Sequence, residues 1–250
     1  MSVRAILAAA LLLGLAGGAR AAPETGQIET RLLAGTLGAT RIGVNLTVRD
    51  HAQCLAGHYY YAKYLKDIPL TCHVDGETVV LEEPGGGIFE LKFGVDDGAP
   101  REAHLTFNNS VKLEGRWTHA GTSLPVTLGF QSSYNGPPSA HLYGEVTEEP
   151  DAAFEARVQR FLRAVQAGDR AAAASAVSYP MSINGIGSLV IRDKASLLRH
   201  WDAIFTPAYL AKLRQAIPHE MFVRNGQAMV ADGAAWFDAK GAAVLNVEED

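Results

Sequence analysis

Ile42, Val44, Leu46 and Val48 alternate with Arg41, Gly43, Asn45, Thr47 and Arg49. A period of two predicts a strand with one buried face. The same rhythm continues to about residue 130. A Tyr-rich run spans 58–64, and short apolar runs follow at 68–72, 78–83, 88–93, 103–107, 111–118 and 124–130. Turn residues separate them: Pro84 with Gly85, Gly86 and Gly87, then Asp96-Asp97-Gly98, Asn108-Asn109 and Ala120-Gly121. About seven or eight strands at this spacing predict an antiparallel sandwich, barrel or meander over residues 26–131.

The rhythm changes after a stretch rich in Pro, Gly and Glu, read as a linker over residues 132–151. Phe154, Val158, Phe161, Leu162 and Val165 then fall on one helical stripe, which Gly168 ends. Asp169 and Asp193 are placed to cap two further helices, and Thr206-Pro207 starts another. Strands are expected around Met181 and Val190, and three or four more close the chain, separated by the hairpin-type turns Asn225-Gly226 and Asp232-Gly233.

The first residues belong to a different class. Arg4 precedes an apolar run of about ten residues, too short to cross a bilayer, and Ala19-Arg20-Ala21 fits a signal-peptidase site. Residues 1–21 are therefore expected to be a signal peptide and the mature protein to be exported, periplasmic or secreted, with no membrane span after cleavage. Cleavage removes Arg4 and Arg20 and no acid, leaving 20 basic residues of the original 22 against 27 acidic ones. That acidic balance argues against a nucleic-acid partner. Export also gives Cys54 and Cys72, the only cysteines, a meaning: an oxidising compartment favours a disulfide. The rival is a metal site from His51, Cys54, His58, Cys72 and His73, but that spacing matches no structural zinc pattern. No metal and no cofactor is expected.

Gln166-Ala167-Gly168-Asp169, Ser178-Tyr179-Pro180, Ile204-Phe205-Thr206-Pro207 and Ala235-Trp236-Phe237-Asp238, in that order of elements, resemble the nuclear transport factor 2-like superfamily. The resemblance implies an α+β cone over residues 152–250, with a pocket at its open end. The N-terminal half, with Gly57-His58-Tyr59-Tyr60-Tyr61 and Gly115-Arg116-Trp117, is similar to small exported β-domains of uncharacterised bacterial proteins. The expected fold is thus two-domain: an all-β antiparallel N-terminal half and an α+β C-terminal cone.

A cone pocket makes Tyr179, Trp201, Trp236 and Asp238 candidate ligand-binding residues, with His200 and Asp202 as further polar candidates for acid–base work. Each has a plainer alternative: the tryptophans as core, and Asp238 as the start of the turn at Ala239-Lys240-Gly241. Tyr59, Tyr60, Tyr61 and Tyr64 are candidate partner-binding residues, because Tyr offers contact area at low entropic cost. Their alternative is cross-strand packing. No G-x-S-x-G, Walker or H-E-x-x-H motif occurs. The leading expectation is a non-enzymatic exported binding protein for an unknown small molecule or envelope protein, of unknown oligomeric state. Two alternatives stay open: a protein-docking or inhibitory module acting through the Tyr-rich β half, and a small-molecule enzyme with an acid–base site in the cone.

Overall fold

The computed structural model describes residues 26–98, 104–139, 141–187 and 189–247. The expected signal peptide lies outside the described residues.

Eight strands form a closed antiparallel barrel. They are β1 (Ile28–Leu37), β2 (Thr40–Arg49), β3 (Gln53–Tyr61), β4 (Ile68–Asp75), β5 (Thr78–Glu82), β6 (Ile88–Gly94), β7 (Lys112–His119) and β8 (Thr122–Asn135). Each pairs with the next, and β8 closes onto β1. Alternation decides the faces. Ile42, Val44, Leu46 and Val48 point inward with Val79, Leu81, Phe89, Leu91, Leu113 and Leu128, all nearly devoid of solvent contact. The barrel interior is therefore packed with side chains. Outside, opposite charges stand across from each other in the ladder, Glu90 opposite Arg116 and Lys92 opposite Glu114. An apolar inside and a charged outside invert the pattern of a membrane-spanning barrel. Among the described residues no helix is long and apolar enough to cross a membrane.

Gly115 shows how tightly neighbouring strands approach: a Cβ there would lie 1.9 Å from the Glu90 carbonyl oxygen. The turn between β7 and β8 has positive φ at both central residues, Ala120 (46°) and Gly121 (82°), the twist a two-residue hairpin needs. Cys54 and Cys72 form a disulfide between β3 and β4. Those two strands share a ladder of only three residue pairs, Gly57 with Leu70 through Tyr59 with Ile68. The bridge ties them together beyond the point where backbone pairing stops.

The apolar run near residue 105, expected as a strand, is a plug instead. Residues 104–107 lie in the loop between β6 and β7, and Leu105 and Phe107 turn into the end of the barrel. Phe107 meets Phe93 edge-on, with ring centroids 4.9 Å apart. Glu77 accepts a hydrogen bond from the Leu105 N–H at 2.9 Å and holds the plug in place.

The second part of the chain corrects the expected fold class. Strands hold 46% and helices 19% of the described residues, so the protein is mostly β, and the C-terminal part is mostly short helices with a small mixed sheet in place of the expected α+β cone. One helix is long, α1 (Asp151–Ala167). The others are short: α2 (Arg170–Ser175), α3 (Lys194–Arg199), α4 (Trp201–Ile204) and α5 (Pro207–Leu213). Their brevity has local causes. Gly168, left-handed at φ 69°, ends α1. Asp169, Asp193 and Thr206 each cap a new start by accepting a hydrogen bond from the backbone N–H three residues on. The remaining strands are β9 (Val177–Asn184), β10 (Leu189–Ile191), β11 (Phe222–Arg224), β12 (Gln227–Val230), β13 (Ala235–Asp238) and β14 (Gly241–Asn246). They make one small mixed sheet in the order β10-β9-β14-β13-β12-β11, with β9 and β14 parallel.

Strand β8 continues to Asn135, inside the stretch read as a linker, and Tyr143 in the same stretch is fully buried. His141 Nδ1 and the Leu142 N–H both donate to Asp151 at 2.8 Å, which fixes this segment to the first turn of α1.

Candidate functional site

The barrel's outer wall along β1 to β3 does not face water. Thr30, Asn45, Thr47 and Tyr60 all point out of the barrel, yet all are buried. Over Tyr60 the covering element is the segment just before β11, and Thr30 donates to the Gly136 carbonyl at 2.9 Å. Tyr60 lies over Gly43, its partner across the β2–β3 ladder, where a Cβ would be 2.3 Å from the tyrosine ring. The missing side chain lets the ring lie flat, and its edge-on neighbour on the other side is His219, with centroids 4.4 Å apart.

A polar cluster occupies this junction. His58 on β3 pairs with Glu220, Nε2 to Oε2 at 2.7 Å, and its Nε2 is 3.7 Å from Asp67 Oδ1. His219 Nε2 lies 3.0 Å from Asp67 Oδ1, and its Nδ1 lies 2.8 Å from Glu155 Oε2. Glu155, on α1, is itself buried. Its Oε1 accepts from the Tyr143 hydroxyl at 2.8 Å and from the Glu220 N–H at 3.0 Å. The Tyr143 oxygen in turn accepts from the Met221 N–H at 3.0 Å. Glu220 sits in the left-handed region at φ 49°, an uncommon conformation for a residue with a side chain. In an extended strand His219 and Glu220 would point to opposite sides. The left-handed turn breaks that alternation, so both reach the barrel: His219 to Asp67 and Tyr60, Glu220 to His58.

The electrostatics follow from these contacts. Burial lowers the pKa of His219, but hydrogen bonds to Glu155 and Asp67 outweigh it and push the imidazole up to about 9. His58 is likewise lowered by burial and raised further by Glu220 and Asp67, with a net upward shift. Burial, followed by the nearby carboxylates, holds the Tyr60 hydroxyl far above the usual tyrosine range. At neutral pH His219 is thus an imidazolium, and both histidines face carboxylates, one of which, Asp67, is half-exposed on the β3–β4 loop.

Two cavities flank Met221 and Phe222. One, of about 200 Å³, has Leu32, Leu33, Arg41, Tyr60, His219 and Glu220 among its walls. The other, of about 400 Å³, lies between Leu32, Tyr134, Leu142 and Phe222. The Arg41 guanidinium closes one rim of the first by donating to the carbonyls of Arg214, at 3.2 Å, and Gln215.

The residues singled out from the sequence are placed differently. Tyr179, Trp201, Trp236 and Asp238 are not brought together. Trp201 is core, 4.3 Å from Phe205 between ring centroids. Tyr179 donates to the Ala174 carbonyl at 2.9 Å. Trp236 and Asp238 do share a strand face, but it is the half-exposed one, while Phe237 enters the core. Asp238 holds its turn, accepting from the Lys240 and Gly241 N–H groups and from Ser178 Oγ. His200 Nδ1 bonds the Ser196 carbonyl, and Asp202 pairs with Arg170 at the surface. The four β-half tyrosines split as well. Tyr59 is inside the barrel, donating to Glu83 at 3.0 Å; Tyr60 is under the junction; Tyr61 is partly buried against Tyr59; only Tyr64 is well exposed.

His219, Glu220, Asp67 and Glu155 were not singled out from the sequence. One signal was present for Glu155: it stands three residues before Val158 and seven before Leu162, an acid on an otherwise apolar helical stripe. No family model, no curated protein and no solved structure matches the chain.

Proposed function

We propose that this is an exported, non-enzymatic binding protein that takes a small ligand in the cleft between the barrel wall and the segment before β11. The observation that carries the reading is the cleft itself: about 200 Å³, floored by Leu32 and Leu33, with Arg41, Tyr60 and Glu220 at its walls. An apolar floor with a few convergent polar groups is the usual make-up of a small-molecule site. The packed barrel interior leaves the junction as the roomier place for a ligand. Export is supported by the leader-like first residues and by the Cys54–Cys72 disulfide, since oxidising compartments preserve such bridges.

The test is native mass spectrometry of the full chain purified without denaturation from its own envelope extract. A small-molecule adduct is expected, and Ala34→Trp, which puts an indole into the cleft, should abolish it. Adduct-free wild-type protein, or an adduct untouched by Ala34→Trp in a folded variant, would count against the cleft.

A further inference from the structure

We propose that His58, Asp67 and Glu220 form a three-ligand binding site, completed by a water, for one divalent transition-metal ion of the Zn²⁺ type. The donor atoms of His58, Asp67 and Glu220 all lie within 4.8 Å of one another. A tetrahedral ion with bonds of about 2.0–2.1 Å needs its ligand atoms about 3.3 Å apart. The separations from His58 bracket that value: 2.7 Å to Glu220 and 3.7 Å to Asp67. Shifts of a few tenths of an ångström along these two pairs bring them to the required spacing, and a water takes the fourth position.

The donor set selects the ion. One imidazole and two carboxylates, with an open position for water, suit Zn²⁺, Co²⁺ or Ni²⁺, whereas Ca²⁺ and Mg²⁺ prefer all-oxygen surroundings. The outer contacts hold the ligand Asp67 in place. Glu155 takes the Nδ1 side of His219 at 2.8 Å and leaves Nε2 directed at Asp67 at 3.0 Å. Glu155 is fixed in turn by Tyr143 and the Glu220 N–H. A ligating carboxylate is oriented by the hydrogen bonds behind it, and His219, itself fixed by Glu155, supplies one to Asp67. Asp67, half-exposed, gives an ion a way in from solvent.

A second observation points the same way. Asn45 is directly opposite His58 across the β2–β3 ladder and is 3% exposed. Its buried Oδ1 accepts no hydrogen bond from any described residue. A buried amide oxygen without a donor is costly. A water carried on an ion beside His58 is a donor of the kind this oxygen lacks.

The inference goes beyond the cleft: Glu220 is shared with its wall, but His58 and Asp67 are not among the cleft-lining residues, so variants of those two test the ion without touching the cleft. The experiment uses the full chain stripped with a chelator. Co²⁺ is titrated while its visible d–d bands are followed, and Zn²⁺ is titrated by calorimetry. Expected are one equivalent bound, the intense bands of four-coordinate cobalt, and affinity reduced at least about tenfold in His58→Gln, Asp67→Asn and Glu155→Gln, the last acting through His219. Asp67→Asn alters a half-exposed loop residue, so it remains informative if a buried variant misfolds. His119→Gln, away from the junction, should bind as wild type. Zn²⁺ affinity weaker than about 0.1 mM, six-coordinate cobalt spectra, or binding unchanged in both His58→Gln and Asp67→Asn would each overturn the site.

Discussion

Glu155 is the residue on which the junction turns, and replacing it with Gln isolates its charge from its shape. The carboxylate accepts from the Tyr143 hydroxyl, the Glu220 N–H and His219 Nδ1, all within 3.0 Å, from a position 9% exposed. The amide keeps one acceptor oxygen and turns the other into a donor. With the oxygen kept toward Tyr143 and Glu220, the new NH₂ faces the His219 N–H donor. With the amide flipped, it faces two donors instead. Either way a buried hydrogen bond becomes a donor–donor contact, and an imidazolium loses its closest buried counter-charge. Hydrogen bonds to charged groups contribute about 1.5–3 kcal/mol, and breaking a buried pair by altering one partner costs about 3–5 kcal/mol. The half-exposed Asp67 still faces His219, which places Glu155→Gln at the lower end, about 3 kcal/mol. For a chain of this size that is a fall of roughly 6–12 °C in Tm. Urea denaturation followed by circular dichroism, at neutral pH in the presence of a chelator, measures it. Tyr143→Phe is the companion variant; it leaves the charge in place and should cost about 1–3 kcal/mol for the orphaned Met221 N–H. The reasoning fails if Glu155→Gln shifts the unfolding free energy by less than about 0.5 kcal/mol, or if Tyr143→Phe costs more than Glu155→Gln.

Three other outcomes are expected. Phe107→Ala empties the barrel plug and should destabilise by about 3–5 kcal/mol, read from the same denaturation curves; a loss under about 1 kcal/mol would show that the end of the barrel does not depend on it. Replacing both Cys54 and Cys72 by Ser releases a tie across 18 residues of sequence and should cost about 3 kcal/mol, while thiol titration of the denatured, unreduced wild type finds no reactive thiol. Finally, the hydrogen bond to Asp151 raises the pKa of His141 above 6.5. With Asp151 ionised, its contribution is full below that value and lost as pH rises through the raised folded pKa. Wild-type Tm should therefore decline over that window more steeply than that of His141→Gln, and parallel profiles would refute the pairing.

The barrel strands were legible because the fold uses period two in its plainest form. Ile42 to Val48 alternates, and the structure puts that set inside. The same alternation misleads at Leu105 and Phe107, which a strand and a plug bury equally well. Spacing reports which residues are buried, and backbone pairing partners decide the rest. The second part of the chain shows the converse. Asp169, Asp193 and Thr206 mark helix starts correctly, but cap residues say little about how far a helix runs. Four of the five helices stop within seven residues, and the apolar positions are spent on a mixed sheet, so helix starts overstate helix content. The junction was illegible for a stronger reason. His219 and Asp67 meet across 152 positions of sequence, and a Pro-His-Glu-Met string has no period that announces a partner. Residue type makes Tyr60 a candidate for partner binding, and the structure packs it edge-on against this chain's own His219.

Stability alone does not account for what lies at that junction. The barrel wall and the segment before β11 could have met through apolar side chains, as Leu32, Met221 and Phe222 nearby already do. Replacing buried ion pairs by well-packed apolar residues is often neutral or stabilising, because desolvation consumes most of the Coulomb gain. Yet His58, Asp67, Glu155, His219 and Glu220 converge there, and the backbone accepts a left-handed residue at Glu220 to bring two of them to one side. Strain and desolvation at one place, each avoidable with ordinary residues, support the proposed binding site. The same costs make the cluster responsive. Anything that supplies positive charge among those carboxylates, whether protons on the imidazoles or a metal ion between them, also fastens the barrel to the rest of the chain, so occupancy of the site and rigidity of the junction should rise and fall together.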